Sequence, residues 1–343
     1  MSAILITGGT GYIGSHTAIE LLKGGRYEVI SIDNHVNSSA RTVDRVEEIT
    51  GKRMLNYAID ATDRAAVEKV FEDHPNIVGV IHFAALKAVG ESVDKPLEYY
   101  GNNFGSLINL LHCCEKYGVN SFIFSSSCSV YGNIEQLPVT EESPVAETES
   151  PYAHTKLVGE RIIKDFIHAS EKVNAIALRY FNPVGGDESG LNGEDPVNRP
   201  SNLVPVITMV AAGLIPKLTV FGGDYDTRDG SCIRDYIHVT DIAQAHIKAI
   251  DFLVEGRNEH QYDLFNLGSG NGVTVFEAIN AFESITGKSL NYEVGPRRDG
   301  DVVAIYSDSS KAKEQLGWEA NLGINEMMAS AWKWQEYLMV DAK

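Results

Sequence analysis

Tyr152 and Lys156 are the residues of this sequence whose types and spacing are best suited to proton transfer. Ser150 and Pro151 precede them, a pair typical of the N-cap and first position of a helix. Residues four apart lie on one face of a helix, which predicts that the ammonium lies near the phenol. Tyrosine alone titrates at about pH 10, and a nearby cation favours the phenolate and lowers that pKa. Taken alone, the spacing is also typical of an ordinary surface helix.

Polar residues also follow two predicted strands. The run 125–127 (SSS) ends one strand, and Asn182 follows the next within 179–183 (RYFNP). The carboxyl ends of parallel strands are where doubly wound sheets bind ligands, so Ser127 could share a substrate proton with Tyr152. Asn182 could hydrogen-bond a phosphate or sugar. The alternatives are that the serines are turn residues and that the asparagine forms an Asx turn before proline.

Gly8, Gly11 and Gly14 stand where the first predicted strand turns into a helix. Glycines there allow a pyrophosphate to approach the backbone N–H groups at the helix N-terminus. Asp33 ends the second strand, 19 residues after Gly14. Its carboxylate could accept hydrogen bonds from a ribose diol and would repel a 2′-phosphate. Because no Arg or Lys follows it before Arg41, the pattern favours NAD over NADP.

Other polar residues carry weaker signals. Asp60, just past the third predicted strand, could face an adenine ring or cap a helix before Thr62. His82, His154 and His238 have no metal-ligand spacing with a carboxylate. The sequence therefore predicts no metal site.

Alternating strands and helices must position these residues. Apolar runs predict strands at 3–7, 27–32, 54–59, 77–83, 121–125 and 173–180. Amphipathic stretches predict helices at about 13–23, 41–49, 64–73, 96–117 and 151–170. This alternation predicts an α/β fold with a doubly wound, Rossmann-type parallel sheet. After Pro183 loops dominate, so we expect a nucleotide-binding domain at 1–182 and a smaller α/β domain at 183–343, with the chain crossing back around 231–270.

Composition limits the partners. The 343 residues include 29 Lys and Arg against 47 Asp and Glu, a net charge of −18, which disfavours nucleic acid and anionic membranes. The most apolar stretch, 203–216, contains prolines and a glycine, and the first basic residue is Lys23, so neither a membrane span nor a secretory signal is expected. Four cysteines without CxxC spacing predict reduced thiols and a cytoplasmic protein: Cys113, Cys114, Cys128 and Cys232.

Together, the glycine loop, Ser127, Tyr152, Lys156 and RYFNP resemble the extended short-chain dehydrogenase/reductase family that acts on nucleotide sugars. The resemblance runs from about residue 3 to residue 334. Four longer stretches are similar to the 4-epimerases of that family: 81–93 (IHFAALKAVGESV), 122–132 (FIFSSSCSVYG), 234–239 (RDYIHV) and 296–301 (PRRDGD).

The resemblance implies a bound NAD and a UDP-hexose substrate held mainly by the second domain. It makes Tyr152 the acid/base, Lys156 the residue that orients the nicotinamide ribose and tunes the phenol, and Ser127 an assistant. Implied cofactor contacts are Gly8, Gly11, Tyr12, Ile13, Gly14, Asp33, Asn34, Ile59, Asp60, Phe83, Lys87, Asn102, Tyr152, Lys156 and Tyr180. Implied substrate contacts are Ser127, Asn182, Asn202, Arg234, Arg298 and Ile305. The two arginines could clamp a diphosphate with their guanidinium forks.

The residues after Ser127 bear on the reaction. Related dehydratases carry an Asp-Glu pair where this chain has Cys128 and Ser129, which disfavours elimination, and reductive relatives use NADP. We therefore expect a redox-neutral epimerisation at C4 that interconverts UDP-glucose and UDP-galactose. In it the tyrosine takes the 4-hydroxyl proton, NAD takes the hydride, and the keto sugar rotates before the hydride returns.

The sequence leaves two alternative functions open and implies a second subunit. Ile305 stands where relatives carry either a bulky Tyr or a smaller residue, so a UDP-GlcNAc/UDP-GalNAc epimerase is an alternative. A non-catalytic NAD-binding sensor is another. In the family the helices predicted at 96–117 and 151–170 pair two subunits, which implies a homodimer.

Overall fold

The computed structural model describes residues 1–145, 147–170, 172–196, 200, 202–298 and 301–341. The strands in these residues are β1 (Ala3–Thr7), β2 (Glu28–Ile32), β3 (Leu55–Tyr57), β4 (Ile77–His82), β5 (Ser121–Ser127), β6 (Asn174–Tyr180), β7 (Asn182–Val184), β8 (Leu218–Phe221), β9 (Ile233–His238), β10 (Tyr262–Leu267), β11 (Gly272–Thr274), β12 (Tyr292–Gly295) and β13 (Ala304–Ile305). The helices are α1 (Tyr12–Gly24), α2 (Arg41–Thr50), α3 (Arg64–Asp73), α4 (Val89–Asp94), α5 (Pro96–Tyr117), α6 (Pro151–Ser170), α7 (Leu203–Ala211), α8 (Val239–Val254), α9 (Val275–Thr286) and α10 (Ile324–Asp341).

Seven parallel strands form the main sheet in the order β3-β2-β1-β4-β5-β6-β10. The predicted doubly wound α/β class is confirmed. The strand order reverses between β1 and β4, the kind of position where such sheets bind ligands. β10 comes from far along the chain and pairs with β6, with Tyr262 opposite Ala175. The division into 1–182 and 183–343 stays a prediction.

Both faces of this sheet are covered, and β1 shows why its sequence is apolar throughout. Ile4 and Ile6 pack in one core with residues of α1, α2 and α8. Ala3 and Leu5 point the other way, into a core with α3, α5 and α6. Successive side chains of a strand alternate between faces, so a strand covered on both sides is apolar at every position.

A smaller region is built around β9. This strand pairs in parallel with β7 and β13 and antiparallel with β11, while β8 and β12 form a separate parallel pair. α7, α9 and α10 cover it with a core that includes Ile207, Phe282 and Met328. Since β7 follows β6 after a single residue, the chain passes directly from the main sheet into this region.

Most predicted elements appear with bounds shifted by one or two residues, but the third strand is shorter than the predicted 54–59. Ile59 N donates to Tyr57 O at 2.9 Å, and this tight turn ends β3. The short helix α4, which begins inside the stretch 81–93 and ends at Asp94, was not predicted. No helix in the described ranges is long and apolar enough to cross a bilayer.

Candidate active site

The glycine loop is packed too tightly for side chains. Gly8 has a φ of +74°, a left-handed conformation that favours glycine. A Cβ on Gly14 would lie 2.1 Å from Gly8 O, and one on Gly8 would lie 2.9 Å from Ala84 N. α1 starts after Gly11 with no side chain capping its N-terminus in this described segment. This close packing leaves a cradle of backbone N–H groups that fits a dinucleotide pyrophosphate.

Asp33 ends β2 beside this loop. Its carboxylate accepts hydrogen bonds from Thr10 N at 3.1 Å, His35 N at 2.9 Å and Ser38 Oγ at 2.9 Å. A carboxylate offers about four acceptor positions, so one is left for a ribose hydroxyl. The nearby Asn34 extends the site toward β3.

Asp60 connects to Asn34 rather than to a helix. Its Oδ2 accepts from Asn34 Nδ2 at 3.3 Å, and its Oδ1 accepts from Thr62 N at 2.8 Å. Partial burial raises its pKa, but these hydrogen bonds outweigh that effect and hold the pKa of Asp60 below its ordinary value. The alternative interpretation of Asp60 as a helix cap is wrong, because Asp63 caps α3 by accepting from Ala66 N.

Tyr152 and Lys156 lie on the first turns of α6, whose start is capped by Ser150 Oγ accepting from Ala153 N at 3.2 Å. Lys156 is 5% exposed, and its Nζ donates to Ser125 O at 2.7 Å. Burial lowers the pKa of Lys156 to about 8.

The pKa of Tyr152 is shifted in the direction opposite to the prediction. Burial raises the pKa of Tyr152, although a hydrogen bond with Ser127 opposes that rise. Lys156 Nζ lies 5.9 Å from the Tyr152 ring centroid and is bonded to a carbonyl oxygen. The side chains of this chain alone therefore do not lower the phenol pKa as the spacing predicted, because the loss of solvation exceeds the attraction of the ammonium.

Ser127 is the last residue of β5 and pairs in register with Tyr180 on β6. Its Oγ accepts from Ser129 N at 3.2 Å and from Ser129 Oγ at 3.0 Å. Two residues earlier on β5, Ser125 Oγ and the Tyr180 hydroxyl hydrogen-bond each other. The carboxyl edges of β5 and β6 thus bring Ser127, Tyr152 and Lys156 together.

A buried ion pair below this group was not predicted. Arg179 on β6 donates to both carboxylate oxygens of Glu160 on α6, at 2.8 and 2.6 Å. Ser126 Oγ donates to the same carboxylate at 2.6 Å. Glu160 stands four residues after Lys156, so its place on the same helix face was the available signal.

The second region contributes two arginines. Arg298 donates to Asp301 Oδ1 at 2.7 Å, and Arg234 NH2 lies 3.6 Å from the same oxygen. Ile305 is on β13 opposite Arg234 and packs with Val130 and other buried apolar residues. Residues 299 and 300 of the 296–301 motif lie outside the described residues. Asp301, the last residue of that motif, had no predicted role.

Glu194 joins two residues that were assigned to different ligands. Its Oε1 accepts from Lys87 Nζ at 3.4 Å and from Asn202 Nδ2 at 3.3 Å. Lys87 follows β4 and Asn202 precedes α7, so the contact links the main sheet to the second region. Nothing in the residue pattern had indicated Glu194.

The other assigned residues surround the carboxyl edge of the sheet. Tyr12 donates through its hydroxyl to Gly185 O at 2.7 Å, and Phe83 packs its ring 4.6 Å from that of His246. Asn102 Nδ2 donates to Asn103 Oδ1 at 2.9 Å. Of the remaining residues, Ile59 follows β3, Ile13 is the second residue of α1, and Asn182 is the first residue of β7.

Thiols and histidines in the described part of the chain form no metal cluster of three or more ligands. The four cysteines are free thiols. Burial raises the pKa of Cys128, beside Ser127, to about 12. It is therefore a neutral thiol near pH 7.

Comparisons with known proteins agree with this geometry. A family model described as GDP-mannose 4,6 dehydratase matches residues 5–331. A UDP-glucose 4-epimerase of Bacillus subtilis (strain 168) is 49% identical over 97% of this chain and 96% of its own length. That of Schizosaccharomyces pombe, uge1, is 48% identical over 97% of this chain and 94% of its own.

Solved structures are similar over almost the whole chain. UDP-glucose 4-epimerase from Bifidobacterium longum in complex with NAD+ and UDP has a TM-score of 0.92 and 48% identity, covering 98% of each chain. The enzyme from Stenotrophomonas maltophila with bound NAD and formylated UDP-arabinopyranose has a TM-score of 0.95 and 42% identity, covering 100% of each.

Proposed function

Because this chain belongs to the UDP-glucose 4-epimerase family, we propose that it interconverts UDP-glucose and UDP-galactose with NAD held at the glycine loop. The observation that carries the proposal is the grouping of Ser127, Tyr152 and Lys156 at one sheet edge, next to that loop. NAD, when bound, accepts a hydride from C4 of the hexose and returns it to the opposite face.

The three side chains handle the proton. Tyr152 takes the proton of the sugar 4-hydroxyl and later returns it, and the nearby Ser127 hydroxyl, which opposes the rise of the phenol pKa, steadies the shared proton. With a pKa of about 8, Lys156 is mostly protonated at pH 7, so its charge stabilises a phenolate as it forms. A binding site that excludes water strengthens this attraction.

The arginines Arg234 and Arg298 support the choice of a diphosphate-linked sugar. Both guanidinium groups approach Asp301, so the positive charge is held at one place in an otherwise acidic chain. A diphosphate would be clamped there while the hexose reaches Ser127. Asn182 and Asn202 are proposed to hydrogen-bond the same ligand.

The purified protein tests the assignment. We expect conversion of UDP-galactose to UDP-glucose, and its loss by at least about 1,000-fold in Tyr152→Phe, since the general base is removed. Tyr117→Phe is the matched control, because its hydroxyl donates to Glu72 at the other end of α5, away from the proposed site. Near-normal turnover of Tyr152→Phe with retained fold would overturn the proposal.

A dehydratase is the second candidate, since the matching family model carries that description. Elimination needs an acid and a base beside the reacting carbons. Cys128 cannot act as a base at neutral pH with a pKa of about 12, and Ser129 bonds Ser127. These residues favour epimerisation, and a keto-deoxy sugar among the products would reverse this choice.

Among UDP-hexoses, we propose the non-acetylated sugars as main substrates. Ile305 is only 7% exposed and packs in an apolar cluster with Val130, and we propose that this branched side chain disfavours the bulkier N-acetyl group. Rates on UDP-Glc, UDP-Gal, UDP-GlcNAc and UDP-GalNAc test this. A higher kcat/KM for UDP-GlcNAc supports the alternative of an N-acetylhexosamine epimerase.

We further propose a cytoplasmic homodimer. Two long helices, α5 and α6, pack side by side, and α5 exposes apolar residues such as Leu97 (83%) and Ile108 (41%) that a second copy would cover.

Four free thiols suit a reducing compartment, which supports the cytoplasmic location. A retained Ser127, Tyr152 and Lys156 set argues against a mere NAD sensor, which has no use for them.

A further inference from the structure

Asp235 is a fully buried carboxylate with no place in the reaction just described. It belongs to the stretch 234–239 (RDYIHV), of which only Arg234 has a proposed role. Its side chain is 0% exposed. Successive residues of β9 point to opposite faces, so Asp235 lies on the side of the strand away from Arg234.

Five hydrogen bonds converge on this carboxylate. Oδ1 accepts from Ser269 N at 2.8 Å and Ser269 Oγ at 2.6 Å. Oδ2 accepts from Gly270 N at 3.2 Å, Ser307 N at 3.0 Å and Ser307 Oγ at 2.7 Å. Since a carboxylate has about four acceptor positions, none is left for a ligand, and a binding role is excluded.

The five donors come from two segments that border the proposed substrate site. Ser269 and Gly270 follow β10, the last strand of the main sheet. Ser307 comes two residues after Ile305 on β13, which has only two residues and pairs with β9 at Ile305 and Arg234. So short a pairing supplies few backbone hydrogen bonds. The hydrogen bonds from Ser307 to the Asp235 carboxylate add to them and hold the end of β13 to β9.

Val139 provides a second connection between the main sheet and the segment that follows β13. Val139 N donates to Tyr306 O at 2.9 Å, and Asp308 N donates to Val139 O at 2.8 Å. Asn266, on β10, donates to Val139 O at 3.3 Å. Residues 305–308 are therefore held between β9 and the end of β10.

We propose that Asp235 is a positioning residue that sets where Arg234 and Ile305 stand relative to the carboxyl edge of the main sheet. It acts on the substrate through those two residues and not on Tyr152, Lys156 or the glycine loop. The inference rests on the proposed function for the identity of the ligand, a UDP-sugar. Its distinctive consequence is a change in substrate binding with the chemical step preserved.

Asp235→Asn is the direct test. The amide keeps one acceptor oxygen and turns an NH2 donor toward other donors, so the two segments separate. We expect KM for UDP-galactose and the Kd for UDP, measured by calorimetry, to rise about tenfold or more, with kcat within about threefold. NAD retained after gel filtration should match the unmutated chain.

Asp241→Asn is the matched control for the loss of a buried carboxylate. Asp241 is 2% exposed and accepts from Asn321 N and Leu322 N, away from β13. It should leave KM and UDP affinity unchanged. If Asp235→Asn does not fold, Ser307→Ala removes only one of the five bonds and should raise KM about threefold, whereas Ser310→Ala should not.

The outcomes separate this inference from the proposed function. An unmutated chain that binds UDP but leaves UDP-galactose unchanged overturns the proposed function only, and UDP binding still tests Asp235. A variant whose KM and UDP affinity stay within about twofold, or whose kcat alone falls, overturns the positioning role. A chain that binds no UDP overturns both.

Discussion

At the scale of single residues, burial changes the two groups of the proton-transfer pair in opposite directions. Lys156 Nζ, bonded to Ser125 O, has its pKa lowered to about 8, while burial raises that of Tyr152. Both shifts disfavour the charged form, as expected for desolvation. At pH 7 Lys156 is therefore still mostly protonated, whereas Tyr152 is a neutral phenol that becomes charged only beside a cationic cofactor ring.

Gly14 provides a prediction at this scale. In Gly14→Ala the new Cβ would lie 2.1 Å from Gly8 O, a backbone atom that cannot move alone. We expect loss of bound NAD, measured from the absorbance of the nucleotide released on denaturation, and about 1–3 kcal/mol lower free energy of unfolding.

Gly24→Ala, at the end of α1, is the matched control, because a Cβ there has no atom within 4 Å. It should bind NAD normally. A Gly14→Ala protein with a full complement of NAD would contradict the proposed pyrophosphate cradle.

At the scale of elements, α6 carries the proposed proton-transfer pair and a buried carboxylate on successive turns of one face. Tyr152, Lys156 and Glu160 are spaced by four residues, and all face β5 and β6. The ion pair of Glu160 with Arg179 connects α6 to β6, and Ser126 connects it to β5. The placement of Tyr152 over Ser127 thus depends on contacts two turns away.

Breaking this pair should be costly. Arg179→Met leaves the Glu160 carboxylate buried with one donor, and we expect about 3–5 kcal/mol lower free energy of unfolding in urea. The double variant Arg179→Met/Glu160→Leu should recover part of that loss, since no unpaired charge remains. Arg161→Met, which removes an exposed pair with Asp165, should leave the free energy of unfolding nearly unchanged. Equal losses in the two arginine variants would refute the role of burial.

At the scale of the whole molecule, the net charge of −18 and an anionic ligand are compatible because the positive groups are local. The N-terminus of α1, Lys156, Arg234 and Arg298 supply them. The surrounding acidic surface still disfavours nucleic acid.

Buried histidines in both regions predict the acid stability of the molecule. Burial lowers the pKa of His82 to about 3 and those of His238 and His246 to about 4. Each therefore binds its proton more readily when unfolded, so its contribution is complete above pH 6.5 and is lost as the pH falls toward 4. Urea titrations should show about 1 kcal/mol less stability per histidine at pH 5.5 than at pH 7.

A variant without one of these groups checks the cause. His246→Gln should reduce that pH dependence by the contribution of one histidine, about 1 kcal/mol, whereas His260→Gln, on the surface, should leave it unchanged. A stability that does not change between pH 7 and 5.5 would refute this explanation.

Local patterns in the sequence predicted the main sheet and the residue types at its carboxyl edge. Apolar runs buried on both faces, a glycine loop after β1 and a Tyr/Lys pair on one helix face are local patterns, and local patterns follow from backbone geometry. α5 and α6 were predicted with their observed bounds. Each starts at a proline, a residue that favours the first position of a helix.

Which residues meet across the chain depends on how the elements pack. Glu194 meets Lys87, and Asp235 meets Ser269 and Ser307, across 34 to 107 residues of sequence. The contacts of Glu160 with Arg179 and of Glu194 with Asn202 are closer in sequence but join different segments. No spacing rule within one helix or strand encodes any of these contacts. The direction of the Tyr152 pKa shift belongs here too. Spacing placed an ammonium nearby, but the degree of burial, which depends on every element packed around the phenol, outweighed it.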